Sequence, residues 1–397
     1  MNFLNRKTVE DIDVTGKRVL VRCDYNVPFD SEGNITDTKR IDESIKTLRY
    51  LIDHNAKVII CSHRGRPKGT VKPELSLAPT IPYLSKVLGQ QVQMATDVVG
   101  ESAKALCSNL QEGQVMMLEN VRFEKGEEAN DPAFAKELAS LADIYVNDAF
   151  GTSHRAHAST AGVAAYLPAV CGYLIQKELQ VLGNALNHPA RPFVAILGGA
   201  KVSDKIGVIT ALLDKIDVLI VGGGMAYTFT NALGYSIGNS LCEPDKLELA
   251  KDIMAKAKEK GVNFLIPVDN VIANKFAEDA QWQIVDSDQI PEGWMGLDIG
   301  PKSAEMFAHA IEHAGTVFWN GPLGVSEWKN FAEGTFKVAQ ALAHSDAYSI
   351  IGGGDSAAAV EKLGFAKQMS HISTGGGASL EFLEGKELPG VAAANDK

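Results

Sequence analysis

Short, nearly continuous apolar segments recur along the chain, and longer segments of mixed polarity separate them. Strands buried on both faces of a parallel sheet have this composition, and intervening segments of roughly 15–40 residues are long enough for crossover helices. The pattern predicts an α/β protein with doubly wound parallel sheets. The predicted strands span residues 18–23, 57–61, 114–118 and 143–146 in the first half, and 192–197, 217–221, 263–267, 316–319 and 347–351 in the second.

A change of domain is predicted where one amphipathic helix is followed by prolines. Leucine and isoleucine side chains from Leu174 to Leu186 fall on one helical face. The helix is expected to end before Pro189, because a proline disfavours helix at the residue preceding it. We therefore expect a first domain over residues 1–170, a connector helix over 171–187 and a second domain over 188–377.

Composition excludes several classes of protein. Among 397 residues, 38 Lys and Arg face 49 Asp and Glu, and the net charge of −11 argues against broad binding to nucleic acid or to an anionic membrane. The sequence shows neither an apolar run of membrane-spanning length nor a signal-peptide core. The five cysteines are scattered without Cys-x-x-Cys spacing, which is typical of a reducing compartment. We expect a cytoplasmic protein.

Cationic and polar residues follow the predicted strands of the first half. Guanidinium groups that converge from several loops at one sheet edge form a site for a small, multiply charged anion. A single arginine would be read as a solvated surface charge, but clustering at successive strand ends favours a site. The segments are 24–26, 62–67, 119–122, 147–148 and 151–157, and Arg40 lies between the first two strands.

Glycines follow the strands of the second half, at 198–199, 222–224, 352–354 and 375–377. Glycine there lets backbone N–H groups approach phosphate at helix N-termini. Neither the P-loop nor the Gly-x-Gly-x-x-Gly spacing occurs. Lys201 and Lys205 are spaced to share one helical face toward phosphates, and Asp355 is a candidate Mg²⁺ ligand.

One further motif suggests a metal. Residues 309–313 read His-Ala-Ile-Glu-His, which matches the His-x-x-Glu-His spacing of some zinc enzymes. A pattern this short arises easily by chance, and no third ligand is obvious in the sequence. We interpret the segment as the surface of a helix.

Two phosphate-type sites on different domains favour phosphoryl transfer, a reaction that depends on positioning and charge neutralisation. A nicotinamide-dependent dehydrogenase would require the missing dinucleotide fingerprint. A two-domain solute-binding protein would require an export signal. Titration with MgADP distinguishes both from a kinase.

The sequence resembles the phosphoglycerate kinases over essentially its whole length. The resemblance rests on residues 21–28, 62–67, 118–123, 148–157, 197–205, 319–324, 352–356 and 373–378, in the order of that family. It implies two Rossmann-like domains joined by the connector helix and a hinge, with a C-terminal segment of about 378–397 returning to the first domain. It also implies a monomer that bends at the hinge, the substrates 3-phosphoglycerate, 1,3-bisphosphoglycerate, ATP and ADP, and Mg²⁺ with the nucleotide.

The resemblance also implies roles for individual residues. Phosphoglycerate would be held by Asp24, Asn26, Arg40, His63, Arg66, Arg122, His154 and Arg155. The nucleotide would be held by Gly199, Ala200, Lys201, Lys205, Gly223, Gly296, Leu297, Asn320, Pro322, Val325, Glu327, Gly353, Gly354, Asp355 and Ser356. The reacting centre would comprise Arg40, Lys201, Gly375 and Gly376, with Asp355 on the metal. Two positions depart from the family pattern: Arg64 replaces a usual leucine, and Ser326 a common aromatic residue.

Overall fold

The structure is a computed structural model that describes residues 5–397. The chain divides into two compact units. The first unit runs to Gln180 and also takes in Glu387–Lys397, and the second is Val181–Lys386. The boundary lies inside a helix, Tyr173–Asn187, that belongs to the segment expected as the connector.

The first unit contains a six-stranded sheet in which every pairing is parallel. Its strands are β1 (Arg18–Arg22), β2 (Lys57–Cys61), β3 (Gln93–Met94), β4 (Val115–Met117), β5 (Ile144–Asn147) and β6 (Ala169–Cys171), in the order β3-β4-β2-β1-β5-β6. Its helices are α1 (Lys39–Asp53), α2 (Ile81–Leu88), α3 (Glu101–Asn109), α4 (Lys125–Glu128) and α5 (Pro132–Ala139). The connecting helix Tyr173–Asn187 is α6.

The second unit contains another six-stranded parallel sheet. Its strands are β7 (Phe193–Leu197), β8 (Val218–Val221), β9 (Asn263–Leu265), β13 (Thr316–Asn320), β14 (Tyr348–Gly352) and β15 (His371–Ile372), in the order β15-β14-β13-β7-β8-β9. The order reverses between β7 and β13, as in doubly wound folds, which place their ligands at that reversal beyond the carboxyl ends of the strands.

Helices connect the strands of the second unit. They are α7 (Ile206–Leu212), α8 (Ala226–Ala232), α9 (Leu247–Glu259), α10 (Pro301–Glu312), α11 (Glu333–Ala343), α12 (Gly354–Lys362) and α13 (Gly376–Leu383). A last short helix, α14 (Pro389–Ala392), lies in the C-terminal segment of the first unit. None of the helices in residues 5–397 is long and apolar enough to cross a membrane.

Apolar residues on both faces of the sheets explain the continuous runs. In β1, Val19 and Val21 join the core on one face of the sheet, while Leu20 joins the core on the other. Successive side chains of a strand point to opposite faces, so a strand covered on both sides must be apolar at every position. Each predicted strand occurs, with ends shifted by at most a few residues, and the predicted α/β class is confirmed.

A three-stranded antiparallel sheet was not predicted. It comprises β10 (Asp269–Ala273), β11 (Trp282–Asp286) and β12 (Met295–Ile299), in the order β11-β10-β12. β11 is largely exposed, and β12 carries a glycine, so neither shows a continuous apolar run. The parallel sheets also contain three strands that were not predicted, β3, β6 and β15, because each is too short to show an apolar pattern.

Candidate active site

Arg22 forms the buried centre of the first unit's candidate site. It is the last residue of β1 and is 0% exposed. Its Nε donates to Ser159 Oγ at 2.9 Å, and its Nη1 donates to the Cys23 carbonyl. Ser159 in turn donates from its backbone N and its hydroxyl to the Glu127 carboxylate, at 2.7 and 2.5 Å. A buried cation is thus compensated by a buried carboxylate through one hydroxyl group.

His63 is held neutral beside this arginine. Burial lowers the pKa of His63 well below 6.5, and the charges of Arg22, Arg122 and Arg40 lower it further. Arg22 Nη2 lies 3.0 Å from His63 Nδ1. Because a guanidinium N–H can only donate, Nδ1 accepts and the ring proton lies on Nε2. His63 therefore offers an N–H donor without adding charge.

Arg122 is fixed by a loop that the sequence places just after β4. It is 5% exposed, and its Nη1 donates to the Gly65 carbonyl at 3.1 Å. Its backbone N donates to Asn120 Oδ1 at 3.0 Å, and Asn120 Nδ2 donates to the Arg64 carbonyl at 2.7 Å. The loops after β2 and β4 are therefore tied together, and this tie positions the guanidinium.

Asp24, Asn26 and Arg40 form a second connected group. Arg40, in the first turn of α1, donates from Nη1 to the Asn26 carbonyl at 2.6 Å and lies 3.5 Å from Asp24 Oδ1. The Asn26 side-chain oxygen accepts from the Gly65 backbone N at 2.9 Å. Asp24 is the acceptor in a predominantly cationic set, which suits it to a substrate hydroxyl group.

The remaining predicted anion ligands are more accessible. Arg66 and Arg155 are exposed, and His154 is half-buried. Arg64 is directed elsewhere, because its Nη1 donates to the Ser76 carbonyl at 2.8 Å and its guanidinium lies 3.8 Å from the centre of the Phe29 ring. The additional guanidinium at position 64 is therefore engaged in contacts within the protein.

Arg22 lies in the candidate site but was not predicted, and His157 lies in the predicted segment 151–157 but was not assigned a role. Burial and the charges of Arg122 and Arg22 lower the pKa of His157 to about 4. Arg22 lies inside a strand, where an apolar pattern gives no signal for a functional cation. Glu127, which the sequence analysis does not single out, is fully buried. Long-range pairing, which the sequence pattern does not show, accounts for these omissions.

A cavity of about 760 Å³ opens in the second unit at the reversal of strand order. Nine of the predicted nucleotide ligands line it: Gly199, Ala200, Gly223, Gly296, Leu297, Pro322, Val325, Glu327 and Asp355. Apolar side chains that were not predicted complete the wall, among them Tyr227, Leu241 and Phe276. The unpredicted strand β12 supplies Gly296 and Leu297. An apolar slot edged by a few polar groups suits a purine ring.

The strands that frame this cavity are in register. Asn320 of β13 pairs with Leu197 of β7 on one side and with Gly352 of β14 on the other. The next residue after β7, Gly198, lies so close to the carbonyl groups of Gly321 and Pro322 that a Cβ atom would collide with them. Glycine at position 198 therefore lets the backbone segments after β7 and β13 approach each other, whereas a larger residue would push them apart.

Two lysines and one aspartate lie beside the glycine loops. Lys205 is half-buried and donates to Asn320 Oδ1. Burial lowers the pKa of Lys205, an effect that the nearby carboxylates of Asp204 and Asp355 oppose. Lys201 and Asp355 are exposed. Both lysines precede α7, so the predicted shared helical face does not form. Lys205 is anchored by Asn320, whereas Lys201 is accessible to a ligand.

Two helix N-termini also meet beside the glycine loops. α12 begins after Gly353, whose φ of 104° favours glycine, and α13 begins after Gly375. A Cβ atom on Gly376 would collide with the Gly353 backbone. Ser356 lies in the first turn of α12, and its hydroxyl accepts from the Gly321 backbone N at 2.5 Å. The glycines allow the approach, and the helix starts present N–H groups to an anion.

The edge of the cavity differs from the expected pattern at Ser326. Ser326 lines the cavity directly before Glu327, which is exposed. The Glu327 carbonyl accepts from Lys362 Nζ at 3.4 Å. Ser326 supplies no aromatic contact, but Phe276 lines the same cavity and packs on Trp328 with ring centres 4.7 Å apart.

An anion site of arginines in one parallel α/β unit and a glycine-lined cavity in the other define a phosphotransferase. The phosphoglycerate kinase family model matches residues 9–386. The chain therefore belongs to the phosphoglycerate kinase family. The predicted family and enzyme class are confirmed.

Individual relatives agree with this assignment over their full length. The chain is 62% identical to a phosphoglycerate kinase of Clostridium botulinum, with 100% of each chain covered, and 59% identical to one of Clostridium kluyveri, with 99% of each covered. A solved phosphoglycerate kinase from Coxiella burnetii matches with a TM-score of 0.86, 45% identity and 98% coverage of each chain. One from Pyrococcus horikoshii matches with a TM-score of 0.84, 32% identity and the same coverage.

Proposed function

We propose that the protein transfers a phosphoryl group reversibly between 1,3-bisphosphoglycerate and MgADP, giving 3-phosphoglycerate and MgATP in glycolysis. The first unit binds the phosphoglycerate, and the second binds the nucleotide. The observation that carries this proposal is a set of fixed cations around one histidine in the first unit. Arg22 Nη2 lies 3.0 Å from His63 Nδ1, and the guanidinium groups of Arg122 and Arg40 are held by the carbonyl groups of Gly65 and Asn26. A site of this composition binds a small polyanion and retains one uncharged donor.

The charge of each residue in the anion site indicates which part of the substrate it binds. The exposed guanidinium groups of Arg66 and Arg155 neutralise the substrate's phosphate, the half-buried His154 offers an imidazole ligand, and the buried Arg122 adds a fixed guanidinium. His63 donates its Nε2–H to a substrate oxygen. Asp24 accepts from the hydroxyl group of the substrate, because a carboxylate among cations is suited to bind a donor.

The acceptor in the ATP-consuming direction is the substrate's own carboxylate. That group is ionised near neutral pH, so the reaction requires no general base. The transferring phosphoryl group instead requires positive charge on its oxygen atoms. We assign this role to Arg40 from the first unit and to Lys201 from the second, with the N–H groups of the α13 start at Gly375 and Gly376 as further donors.

The donor set at the cavity edge fits Mg²⁺ bound to a nucleotide. Asp355 supplies a hard carboxylate oxygen in the first turn of α12, exposed and beside the glycine loops. Mg²⁺ at nucleotide sites binds one or two carboxylates and completes its shell with phosphate oxygens and water. The bound ion would neutralise phosphate charge, while Lys205 and the glycine N–H groups hold the phosphates.

The two ligands are proposed to bind to different units, and transfer has to bring their reacting atoms together. Reacting atoms must approach to about 3–3.5 Å, and we propose that a monomer closes around a hinge near α6 and the Gly375 region when both ligands are bound. Small-angle X-ray scattering tests this proposal. Both ligands together should reduce the radius of gyration, and an unchanged value at saturation contradicts closure.

A coupled assay of ATP-dependent 3-phosphoglycerate phosphorylation tests the proposed function. Activity should require Mg²⁺ and both substrates. Calorimetric titration with MgADP should show one site, which neither a solute-binding protein nor a nicotinamide enzyme explains. Absence of phosphoryl transfer by a folded protein that binds both ligands would overturn the proposal.

A further inference from the structure

Three side chains that the proposed function does not use converge at the end of α10. His309 and Glu312 lie in the last turn of that helix, and His313 follows it directly. One ligand atom from each residue lies within 4.8 Å of the others, and all three side chains are exposed. The spacings i, i+3 and i+4 place them on one helical face.

A hydrogen bond prepares one histidine to bind a metal. His313 Nδ1 lies 2.8 Å from the His309 carbonyl oxygen. Because a carbonyl can only accept, Nδ1 carries the proton and Nε2 keeps its free lone pair. Metal-binding histidines usually make such a bond through their other nitrogen, and it fixes the ring orientation. The His309 and His313 rings are already close, with centres 4.6 Å apart.

The position in the helix also favours a cation. The last turn of a helix carries partial negative charge from its unpaired carbonyl groups, and Glu312 adds a full negative charge. Imidazole nitrogen atoms suit Zn²⁺, Cu²⁺ and Ni²⁺, whereas Mg²⁺ prefers oxygen ligands. The donor set therefore selects a transition metal and differs in kind from the Asp355 site.

We propose that His309, Glu312 and His313 form a surface site for a divalent transition-metal ion, with water completing the coordination shell. The ion joins residues separated by one helical turn and so holds the C-terminal end of α10 in helical geometry. Because the ion binds the native state in preference to the unfolded chain, added metal should raise the free energy of unfolding.

Titration of the full chain with Zn²⁺, without nucleotide, tests this site. Calorimetry should show a saturable component that is weakened at least about tenfold in His309→Ala and in His313→Ala, because each substitution removes one nitrogen ligand. Glu312→Gln should weaken it less. His188→Ala is the matched control, since His188 is an exposed histidine outside the cluster and should bind Zn²⁺ like the parent.

Thermal unfolding provides a second readout. Zn²⁺ should raise the midpoint of the parent and of His188→Ala but not of the double variant His309→Ala, His313→Ala. Each increase is measured against the same protein without metal, so a small change in stability from the lost His313 hydrogen bond does not affect the comparison. A double variant that keeps the parent's Zn²⁺ isotherm and midpoint increase would overturn the proposal, as would a parent with no saturable Zn²⁺ binding.

Discussion

The candidate anion sites of the two units are built in different ways. In the first, the site is built from long cationic side chains that are buried in a network, as with Arg22 bonded to Ser159 and His63. In the second, the site is built from backbone, where glycines after β7, β13 and β14 allow loops to approach closely. The candidate site of the first unit is therefore defined by positioned positive charges, and that of the second by the close approach of backbone segments.

Each solution has its own physical cost. Clustered arginines repel one another, so the first unit keeps His63 neutral and places the buried Glu127 behind Ser159. Backbone donors avoid this repulsion, but they tolerate no added side chain. Substitutions that remove charge should therefore harm the first unit most, and substitutions that add a single methyl group should harm the second.

The largest effect is expected from removing Arg40. If this guanidinium neutralises the transferring phosphoryl group, Arg40→Ala should lower kcat by about 10³-fold with little change in KM for 3-phosphoglycerate. The matched control is Arg66→Ala, which should act mainly on KM. Steady-state kinetics separate the two, and a raised KM with an intact kcat for Arg40→Ala would reduce Arg40 to a substrate anchor.

A smaller effect is expected from adding one methyl group to the second unit. The Cβ of Gly376→Ala would collide with the Gly353 backbone, so the two glycine loops must separate. Displacement of positioned groups by about 1 Å can lower activity about 10²-fold, and kcat/KM for the nucleotide should fall accordingly. An unchanged kcat/KM would show that the two loops accept the added methyl group without separating.

Asp355→Asn is expected to act locally. Loss of the carboxylate should weaken MgADP binding about tenfold, since a neutral amide is a poorer Mg²⁺ ligand. Binding of 3-phosphoglycerate should stay unchanged, because its proposed ligands lie in the other unit. Parallel titrations measure both affinities, and equal loss of both would indicate misfolding in place of a local role.

The smallest effects concern pH, and two buried groups of the first unit should act in opposite directions. The native pKa of His157 is about 4, below the ordinary 6.5, so its contribution to stability is lost as pH falls from 6.5 toward 4. Burial raises the pKa of Asp148 to about 7 from 3.8, so stability instead declines as pH rises between these values.

Thermal unfolding from pH 5 to 8 measures this contrast. On acidification, the His157→Gln variant should lose less free energy of unfolding than the parent, by on the order of 1 kcal/mol. Above pH 7, the Asp148→Asn variant should have a higher free energy of unfolding than the parent, by a similar amount. Each difference corresponds to a change of a few degrees in the unfolding midpoint. Asparagine keeps an oxygen to accept from the Leu174 backbone N, as Asp148 Oδ1 does at 3.0 Å. Parallel pH profiles for all three proteins would contradict these assignments.

Local patterns allowed much of the site to be predicted. Glycine clusters and the ends of apolar runs identified the loops around the cavity, because the carboxyl ends of parallel strands meet at one sheet edge. Arg22 was missed, since a charged residue at the end of a strand gives no local sign of its partners. Phe276 and Leu241 were missed because the walls of a cavity come from distant segments.

The sequence by itself determined the parallel α/β class, nine of the twelve strands of the two parallel sheets, and the family, since apolar periodicity and motif order are local properties of the chain. Only the tertiary structure decided the direction of Arg64 toward Phe29 and Ser76, the tautomer of His63 and the pairing of Lys205 with Asn320. It also decided the antiparallel sheet that brings Leu297 to the cavity. These outcomes depend on which groups meet across long sequence separations, where burial and charge select among partners that a linear pattern leaves open.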